Sequence, residues 1–282
     1  VYSHLEPANF VASVGQYFIR GRTYLCRHHI DEGLLYSFDK DMYYRITYRL
    51  ARKIIVVSGR AKKYMVEKEN IPSGKILHIN LAYDFKLYDA PEESKAENIR
   101  DQFRADILLV SACRLTRYKR PELIIETVKY ISDSGLDVKL ILLGKGEMHD
   151  QLQTLIVNLG LESKIFMPGY VENVLEFMMA ADFILHPSLL DSSCVVIKEA
   201  GLVKRPVIVC SGVGDFDDYI VHGQNGFSVN PEKYVEQSLA IITDYYDHKD
   251  KLKRIGENLQ KSVHELFSIE NVVHRYDLLN IN

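Results

Sequence analysis

From residue 107 onward the chain alternates short apolar segments with longer segments of helical periodicity. The apolar segments, rich in β-branched residues, are 107–112, 138–144, 165–168, 182–187, 206–211 and 226–229. They are mostly continuous apolar runs, which indicates strands covered on both faces. Strands that alternate with helices are typical of β-α units in a parallel sheet. We therefore predict a doubly wound α/β domain in this part of the chain.

The first part of the chain shows the same alternation in shorter segments. We predict helices at 6–19, 42–53 and 61–69, and strands at 23–26, 54–58 and 75–79. The opening residues, VYSH, suggest the end of one more strand. These strands are few for a free-standing doubly wound domain, and the chain does not begin with Met, so we expect a first domain that lacks its front.

A charged segment separates the two parts. Residues 88–104 contain Pro91 and the run EESKAE without a strong apolar period, which is typical of a linker. We therefore predict domains at 1–93 and 94–267. Helical patterns continue to the end, and we expect the last segment, 268–282, to pack back toward the first domain.

Composition argues against a nucleic-acid-binding protein, a zinc site and a membrane-spanning helix. A net charge of −3 and a pI of about 6.4 give no basic field for a nucleic-acid partner. The four cysteines are widely spaced in apolar segments, which favours reduced core residues over a zinc site. No apolar run approaches the ~20 residues of a membrane span. We expect a cytoplasmic protein, either free or at the inner face of the membrane.

Ligands of open parallel sheets bind outside the carboxyl ends of the strands, so the loops there are the first place to look for a site. After the strand at 107–112, a loop carries Arg114, Arg117, Lys119 and Arg120 and runs into a helix that starts at Pro121. Arg, Lys and a helix N-terminus together can neutralise a diphosphate. The alternative is a solvated basic turn.

After the strand at 138–144 comes Gly144-Lys145-Gly146. Glycines let a backbone approach a ligand closely, although the same pattern occurs in ordinary strand-to-helix turns.

The loop after 182–187 carries Asp191 and then Ser192 and Ser193, which we predict to cap a helix that starts near Cys194. The first N–H groups of that helix would face the crevice and bind phosphate or sugar oxygens. Further along the helix, Glu199 lies among apolar residues. It needs either a buried Arg or a hydroxyl-rich ligand as its partner.

In this order and spacing, the loops resemble glycosyltransferase family 4, whose members are retaining enzymes with the GT-B fold of two Rossmann-like domains. The resemblance covers most of residues 107–230. The family's Glu-x7-Glu pattern is similar to Asp191 through Glu199. Its G-R-L, lysine and G-x-G elements resemble Cys113-Arg114-Leu115, Lys119 and Gly144-Lys145-Gly146. Its G-x-V element, which contacts the nucleotide base, resembles Gly169-Tyr170-Val171.

The resemblance implies a role for each matching residue. Arg114 and Lys119 would hold the diphosphate, Asp191 would touch the donor sugar, and Glu199 would hold the ribose hydroxyls. The remaining nucleotide-sugar contacts would come from Gly144, Gly146, Val171, Ser192, Ser193 and Cys194. His28 and His29 follow the predicted strand at 23–26, where many members have a histidine facing the acceptor. A lone histidine is more often structural, whereas two at the end of this strand fit a structural role and an acceptor-facing role equally well.

The chain also departs from the family pattern. Asp191 is one methylene shorter than the usual Glu, and Cys113 stands where Gly is common. Ala82-Tyr83 replaces the usual Asn-Gly, so we assign no function to that turn. The first β-α units and their glycine-rich loop are not in this sequence.

The resemblance implies transfer of a sugar, with retention, from a UDP- or GDP-linked donor to an acceptor sugar, polysaccharide or glycolipid. It implies no metal and no other cofactor. Arg114 and Lys119 would stabilise the charge that develops on the departing diphosphate, at ~3 kcal/mol per well-aimed donor.

Other functions fit the same sequence. The same scaffold would permit a nucleotide-sugar 2-epimerase. It would also permit a glycoside hydrolase that uses Asp191 and Glu199 as its paired carboxylates. A fragment that binds a nucleotide sugar without transferring it is a further alternative. The helix at 42–53, with tyrosines and basic residues, either contacts anionic lipid peripherally or buries its tyrosines beside a solvated basic edge.

Overall fold

The computed structural model describes residues 1–4, 6–18, 23–28 and 40–281. It divides into two compact units. Unit 1 comprises Val1–Tyr83, Asp191–Ser193 and Leu266–Asn282, and unit 2 comprises Asp84–Leu190 and Cys194–Glu265. The chain thus passes from unit 1 to unit 2 after Tyr83.

Unit 1 is built on a parallel sheet of four strands in the order β1-β2-β3-β4. Its strands are β1 (Tyr2–His4), β2 (Tyr24–Arg27), β3 (Lys53–Val56) and β4 (Ile76–His78). Its helices are α1 (Glu6–Gly15), α2 (Lys40–Leu50) and α3 (Gly59–Glu67), and α12 (Ile269–Ile281) joins them from the end of the chain. The opening VYSH does contain a strand, as predicted.

The sheet of unit 1 is covered on both faces. Leu25 and Ile54 belong to a buried cluster that includes Tyr48 of α2. Their chain neighbours Cys26 and Ile55 belong to a second cluster, with Val272 of α12. Successive residues of a strand point to opposite faces, so β2 and β3 each supply both clusters. This arrangement explains why the strands are continuous apolar runs.

Unit 2 is built on a parallel sheet of six strands in the order β10-β9-β8-β5-β6-β7. The strands are β5 (Ile107–Ala112), β6 (Val138–Leu143), β7 (Ile165–Gly169), β8 (Phe183–His186), β9 (Val207–Cys210) and β10 (Phe227–Val229). The helices are α4 (Glu93–Gln102), α5 (Pro121–Asp133), α6 (His149–Asn158), α7 (Val174–Ala180), α8 (Val195–Leu202), α9 (Phe216–Tyr219), α10 (Tyr234–Tyr245) and α11 (Lys249–Phe267), the last of which ends in unit 1. The predicted doubly wound α/β architecture with two parallel sheets is confirmed.

One prediction in this region is wrong, because the segment expected to be a linker contains helix α4. Only Ala96 and Ile99 of that helix are buried, which is too few to give a visible apolar period. Its other anchor is polar: Arg100 donates to the Asp182 carboxylate at 2.7 Å. Asp182 also accepts from the backbone N–H of Leu108 at 2.8 Å, which ties the helix to the start of β5.

The sheet of unit 2 has a switch point between β5 and β8. From β5 the chain proceeds outward through β6 and β7, and then returns to the other side of β5 to form β8, β9 and β10. Crevices outside the carboxyl ends of strands at such a point are the usual ligand sites of doubly wound sheets. Among the described residues, no helix is both long and apolar enough to cross a bilayer.

Candidate functional site

The loops that follow β5, β6 and β7 are joined by backbone hydrogen bonds. The N–H of Leu115 donates to the carbonyl of Lys145 at 3.0 Å, and the N–H of Gly144 donates to the carbonyl of Gly169 at 2.8 Å. Three predicted ligand loops therefore form one surface at the carboxyl edge of the sheet.

The glycines of the second loop are required by this packing. Gly144 has a φ of +127°, and a Cβ there would collide with the carbonyl oxygen of Cys113. A Cβ on Gly146 would collide with the carbonyl oxygen of Leu115. Backbone packing thus accounts for both glycines by itself, and their contact with a ligand stays a prediction.

The third loop carries Val171, the residue predicted to contact the base. Gly169 has a φ of +85°, in the left-handed region that glycine favours. Val171 lies half-buried beyond the exposed Tyr170. Its contact with a nucleotide base also stays a prediction.

The basic loop after β5 divides into two kinds of residue. Arg114 is exposed and Lys119 is half-buried. The Lys119 ammonium lies 5.7 Å from the centroid of the Tyr118 ring, in the range of a cation–π contact. Arg114 and Lys119 are thus accessible positive charges next to the switch point.

Arg120, in contrast, holds the scaffold together. Its guanidinium donates to the carbonyls of Pro187 and Pro231, each at 2.8 Å, and to the Cys210 sulfur at 3.0 Å. Burial raises the pKa of the Cys210 thiol to about 11, and the charge of Arg120 partly opposes that shift. From the sequence, Arg120 was grouped with the predicted phosphate ligands. In the structure its guanidinium instead connects the ends of β8, β9 and β10 through these hydrogen bonds.

The loop after β8 lies directly beside the basic loop. The N–H of Leu189 donates to the carbonyl of Tyr118 at 2.8 Å. Within the loop, the Ser188 hydroxyl donates to the carbonyl of Leu190 at 3.0 Å. The two loops that flank the switch point are therefore held together within unit 2.

The start of helix α8 differs from the prediction. The N-cap residue is Cys194, not Ser192 or Ser193, and the Cys194 side chain accepts no capping hydrogen bond. A thiol is a weak acceptor, and the Cys194 sulfur instead lies 3.4 Å from Nε2 of His186. The first N–H groups of α8 have no acceptor within the helix itself. This terminus therefore offers donors at the carboxyl end of β8.

Ser193 is held elsewhere, because Asp191–Ser193 group with unit 1. The Tyr83 hydroxyl donates to the Ser193 carbonyl at 3.1 Å and lies 3.4 Å from its Oγ. The backbone of Tyr83 in turn bonds to Phe267 and Ile269. Tyr83, which the sequence left without a role, thus fixes the turn that contains the predicted sugar contacts.

Glu199 lies half-buried on α8, and burial raises the pKa of its carboxyl above the ordinary value. None of the described lysines and arginines forms a salt bridge with it. Of the two partners that the sequence left open, a buried Arg is therefore not the one present. Tyr88 is close enough to Glu199 for their charges to interact. The pKa of the Tyr88 hydroxyl is raised first by burial and second by the negative charge of Glu199.

The residue next to Glu199 makes a buried ion pair that the sequence analysis missed. The Lys198 ammonium lies 2.7 Å from the Asp215 carboxylate, and both side chains have an exposed fraction of 0%. The same ammonium lies 4.8 Å from the centroid of the Tyr219 ring. The pair fixes α8, and with it Glu199, to the loop after β9. A lysine inside an apolar helix was the signal available in the sequence.

His28 lies at the carboxyl end of β2 in unit 1. Its Nε2 is 2.9 Å from Nδ1 of His4 at the end of the neighbouring strand β1, and the ring centroids are 5.3 Å apart. The adjacent His29, considered with it from the sequence, lies outside the described residues. His28 is therefore one member of a histidine pair rather than a lone histidine.

Within unit 2, Nε2 of His186 and the Cys194 sulfur lie 3.4 Å apart, close enough to share a metal ion. The expectation that no metal or other cofactor is required stays a prediction.

Comparison with known proteins identifies the family. The model of the family "Glycosyl transferases group 1" matches residues 92–262, which is more than half of the chain. An uncharacterized glycosyltransferase of Methanocaldococcus jannaschii is 24% identical over 274 residues, covering 87% of this chain and 67% of that protein. The α-D-kanosaminyltransferase of Streptomyces kanamyceticus is 22% identical over 214 residues, covering 74% of this chain and 55% of that protein.

The fold comparison agrees with the family. The crystal structure of Anabaena HepE in complex with UDP has a TM-score of 0.86 and 21% identity, covering 100% of this chain and 78% of that one. The same protein in complex with UDP-glucose has a TM-score of 0.82, with the same identity and coverage. The chain therefore belongs to the group 1 glycosyl transferases and has their GT-B fold.

Proposed function

We propose that the chain transfers a sugar from a nucleoside diphosphate sugar, UDP-linked in the first instance, to an acceptor hydroxyl with retention at the anomeric carbon. The observation that carries the proposal is Glu199. Its carboxylate is half-buried at the ligand edge of the sheet and has no basic partner among the described residues. Two ribose hydroxyls would satisfy it as hydrogen-bond donors.

The diphosphate belongs at the switch point beside it. The N-terminus of α8 presents backbone donors, and Arg114 and Lys119 supply positive charge from the adjoining loop. A helix N-terminus with nearby Arg and Lys is a favourable anion site. UDP in the complexes of the structural relative supports the choice of base.

These groups also account for the chemistry. As the bond from the anomeric carbon to the phosphate breaks, negative charge grows on the departing diphosphate. Arg114, Lys119 and the N–H groups of α8 stabilise that charge, at ~3 kcal/mol for each well-aimed donor. Asp191 orients the donor sugar, and His28 faces the acceptor. The acceptor class is a sugar, polysaccharide or glycolipid.

Calorimetry with UDP, GDP and ADP tests the site. Glu199→Ala and Arg114→Ala should weaken UDP binding about tenfold or more, because each removes a hydrogen-bonding charge. The matched controls are Glu162→Ala and Arg104→Ala, at exposed positions of unit 2. Equal affinity in the site variants and the controls would contradict the assignment.

Product analysis then separates transfer from its alternatives. With UDP-glucose and a mixed set of acceptors, transfer releases UDP and forms a new glycoside in which the anomeric configuration is kept. Free glucose would indicate hydrolysis, and a nucleotide sugar of altered configuration would indicate epimerisation. Normal UDP binding with no product on any acceptor would favour a binding fragment.

A further inference from the structure

A cavity lies in unit 2 at the amino ends of the strands, the edge opposite to the loops of the proposed nucleotide site. Its volume is about 760 Å³, within the roughly 300–1,000 Å³ of sites for small organic ligands. It is bounded by Asp182 and Pro206, directly before β8 and β9, by the ends of α7 and α8, and by one face each of α4 and α11. We call it the amino-edge cavity. All of its lining residues belong to unit 2, whereas the β-α units predicted to be missing belong to the first domain.

The floor of the amino-edge cavity is apolar. Ala96 of α4, Ala181, Val203 and Leu252 of α11 line it, and all four are buried. Sites for small molecules are usually built in this way, from apolar side chains with a few polar groups that fix the ligand. The floor can therefore take up the apolar part of a ligand.

The charged residues of the cavity are mostly basic. Three acidic residues line it, and one of them, Asp182, is already used by the scaffold through its contacts with Arg100 and with the backbone of Leu108. The other two, Glu93 and Glu97, are exposed on α4. The five basic residues are Arg100, Lys204, Arg205, Lys249 and Lys253. The lining thus carries two more positive charges than negative ones.

Three of the basic residues are lysines without an acidic partner. Within the part of the chain that the structure describes, Lys204, Lys249 and Lys253 form no salt bridge. All three are exposed. Lys249 and Lys253 are four residues apart on α11, a spacing that places their like charges side by side at a cost in stability. An anion bound between them would remove that repulsion.

Arg205 adds a half-buried positive charge. Its Nε donates to the carbonyl of Met179 at 2.8 Å, and its Nη2 donates to the same carbonyl. Its Nη1 makes no hydrogen bond with the described residues. Burial lowers the pKa of the Arg205 guanidinium, the Asp182 carboxylate opposes that shift, and the charge of Arg100 adds to it. A negative charge in the cavity would therefore be favourable for this guanidinium.

Lys204 has a backbone conformation that glycine adopts at less cost. Its φ is +57°, and it directly follows Val203, the C-cap of α8, where helices commonly have a glycine. The turn is fixed on both sides. The Lys204 N–H donates to the carbonyl of Gly201 at 3.0 Å, and a Cβ on Gly256 of α11 would collide with the Lys204 carbonyl oxygen. A lysine at this unfavourable position is explained if its charge is used.

We propose that the amino-edge cavity binds a small phosphate monoester. The phosphate would lie against Lys204, Lys249 and Lys253, with the apolar part of the molecule on the floor. A phosphate monoester carries a charge of about −1.5 to −2 at pH 7, which matches the excess positive charge of the lining. Lys and Arg are the side chains that proteins use to hold such a group. The binding does not depend on sugar transfer, because no residue of the proposed nucleotide site lines the cavity.

Calorimetry of the full chain with 1-naphthyl phosphate tests the proposal. The comparison probes are 1-naphthylmethanol, which has the apolar part without the charge, and inorganic phosphate, which has the charge without the apolar part. We expect 1-naphthyl phosphate to bind about tenfold or more tightly than either, because it alone engages both the lysines and the floor. The titration is repeated with UDP present and should give the same affinity.

A pair of substitutions on α11 locates the binding. Lys249→Glu with Lys253→Glu should weaken the binding of 1-naphthyl phosphate about tenfold or more. The matched control is Lys251→Glu with Arg254→Glu, which makes the same charge change at exposed positions of the same helix outside the cavity. Circular dichroism checks the fold of each variant. If either pair fails to fold, the corresponding glutamine pairs replace both.

Lys204→Gly separates a binding role from a structural one. Glycine adopts a positive φ without the penalty of a Cβ, so this variant should bind 1-naphthyl phosphate more weakly without a lower unfolding temperature. A lower unfolding temperature with unchanged binding would mean that Lys204 serves the fold only, and would contradict its place in the site.

Several results would overturn the proposal. They are the absence of binding by 1-naphthyl phosphate, equal binding of 1-naphthylmethanol, and a control pair that loses as much affinity as the cavity pair. Loss of the binding when UDP is present would assign the probe to the nucleotide site instead. Glu199→Ala should bind 1-naphthyl phosphate as the wild-type chain does, and the cavity variants should bind UDP normally. A failure of the cavity and a failure of the nucleotide site therefore remain distinguishable.

Discussion

Single residues of the site differ in whether they serve binding or stability. Glu199 is held where burial penalises its charge. Arg120 and Arg114 are near in sequence, yet the first bonds to three acceptors of the scaffold while the second is exposed. Residue type alone did not separate these roles, because an Arg in a loop is compatible with either one.

Glu199→Gln should stabilise the free protein and weaken its binding of UDP. A glutamine carries no charge to be penalised by burial, and it loses the charged hydrogen bonds to ribose, worth about 1.5–3 kcal/mol. We therefore expect a higher unfolding temperature. We also expect a ten- to hundredfold weaker UDP affinity, which is the change in affinity that a loss of about 1.5–3 kcal/mol produces. Thermal unfolding and calorimetry measure the two effects.

The pH dependence of that stabilisation follows from the direction of the shift. The pKa of Glu199 in the folded protein lies above its unfolded value, so ionisation destabilises the fold at pH above the raised pKa. The penalty disappears as pH falls below the ordinary carboxyl pKa. The gain from Gln should thus be full at pH above the raised pKa and absent in acid. Glu162→Gln should show no such gain, and an equal gain there would count against this explanation.

Arg120→Ala should destabilise the protein by about 2 kcal/mol or more, because it leaves two carbonyls without their donor. Arg114→Ala should change stability by roughly 0.5 kcal/mol or less, as expected for an exposed residue. Urea unfolding at neutral pH gives both values. If Arg114→Ala is the more destabilising of the two, the division of the basic loop is wrong.

Among the elements, helix α8 contributes most to the site. Its N-terminus presents backbone donors, its Glu199 is the proposed ribose contact, and its buried Lys198 fixes the helix to the loop after β9. Lys198→Met should destabilise the protein by about 3–5 kcal/mol, because it leaves the Asp215 carboxylate buried without its ion-pair partner. Adding Asp215→Ala should recover part of that loss. Denaturant unfolding of the two variants tests this, and a double variant no more stable than the single one would contradict it.

The sequence predicted the elements better than their ends and their polar contacts. Strands β5 to β10 were found because burial on both faces makes them continuous apolar runs. Helix α4 was missed because only Ala96 and Ile99 of it are buried, and the cap of α8 was misplaced because two serines precede Cys194. Hydrogen bonds and ion pairs between distant segments, such as Tyr83 with Ser193 and Lys198 with Asp215, leave no local pattern.

At the scale of the whole molecule, each unit has its own parallel sheet and its own buried core. Glu199, Arg114 and Lys119 all belong to unit 2, whereas His28 and Asp191 belong to unit 1. The proposed nucleotide contacts are thus mostly in one unit and the proposed acceptor and sugar contacts in the other. The family match, at residues 92–262, lies almost entirely over unit 2.

A nucleotide that binds only the folded chain should stabilise it by mass action. At a UDP concentration of roughly a hundred times Kd, the expected gain is about 2.7 kcal/mol. Differential scanning calorimetry with and without UDP measures it. In Glu199→Ala the gain at the same UDP concentration should be much smaller, and in Glu162→Ala it should be full. The same shift in both variants would argue for binding elsewhere.

The most direct test of the central claim is a crystal structure of this chain with UDP bound. The account predicts the ribose hydroxyls against the Glu199 carboxylate and the diphosphate between the N-terminus of α8 and the side chains of Arg114 and Lys119. UDP bound at a different edge of the sheet, or at this edge with Glu199 turned away from the ribose, would contradict it.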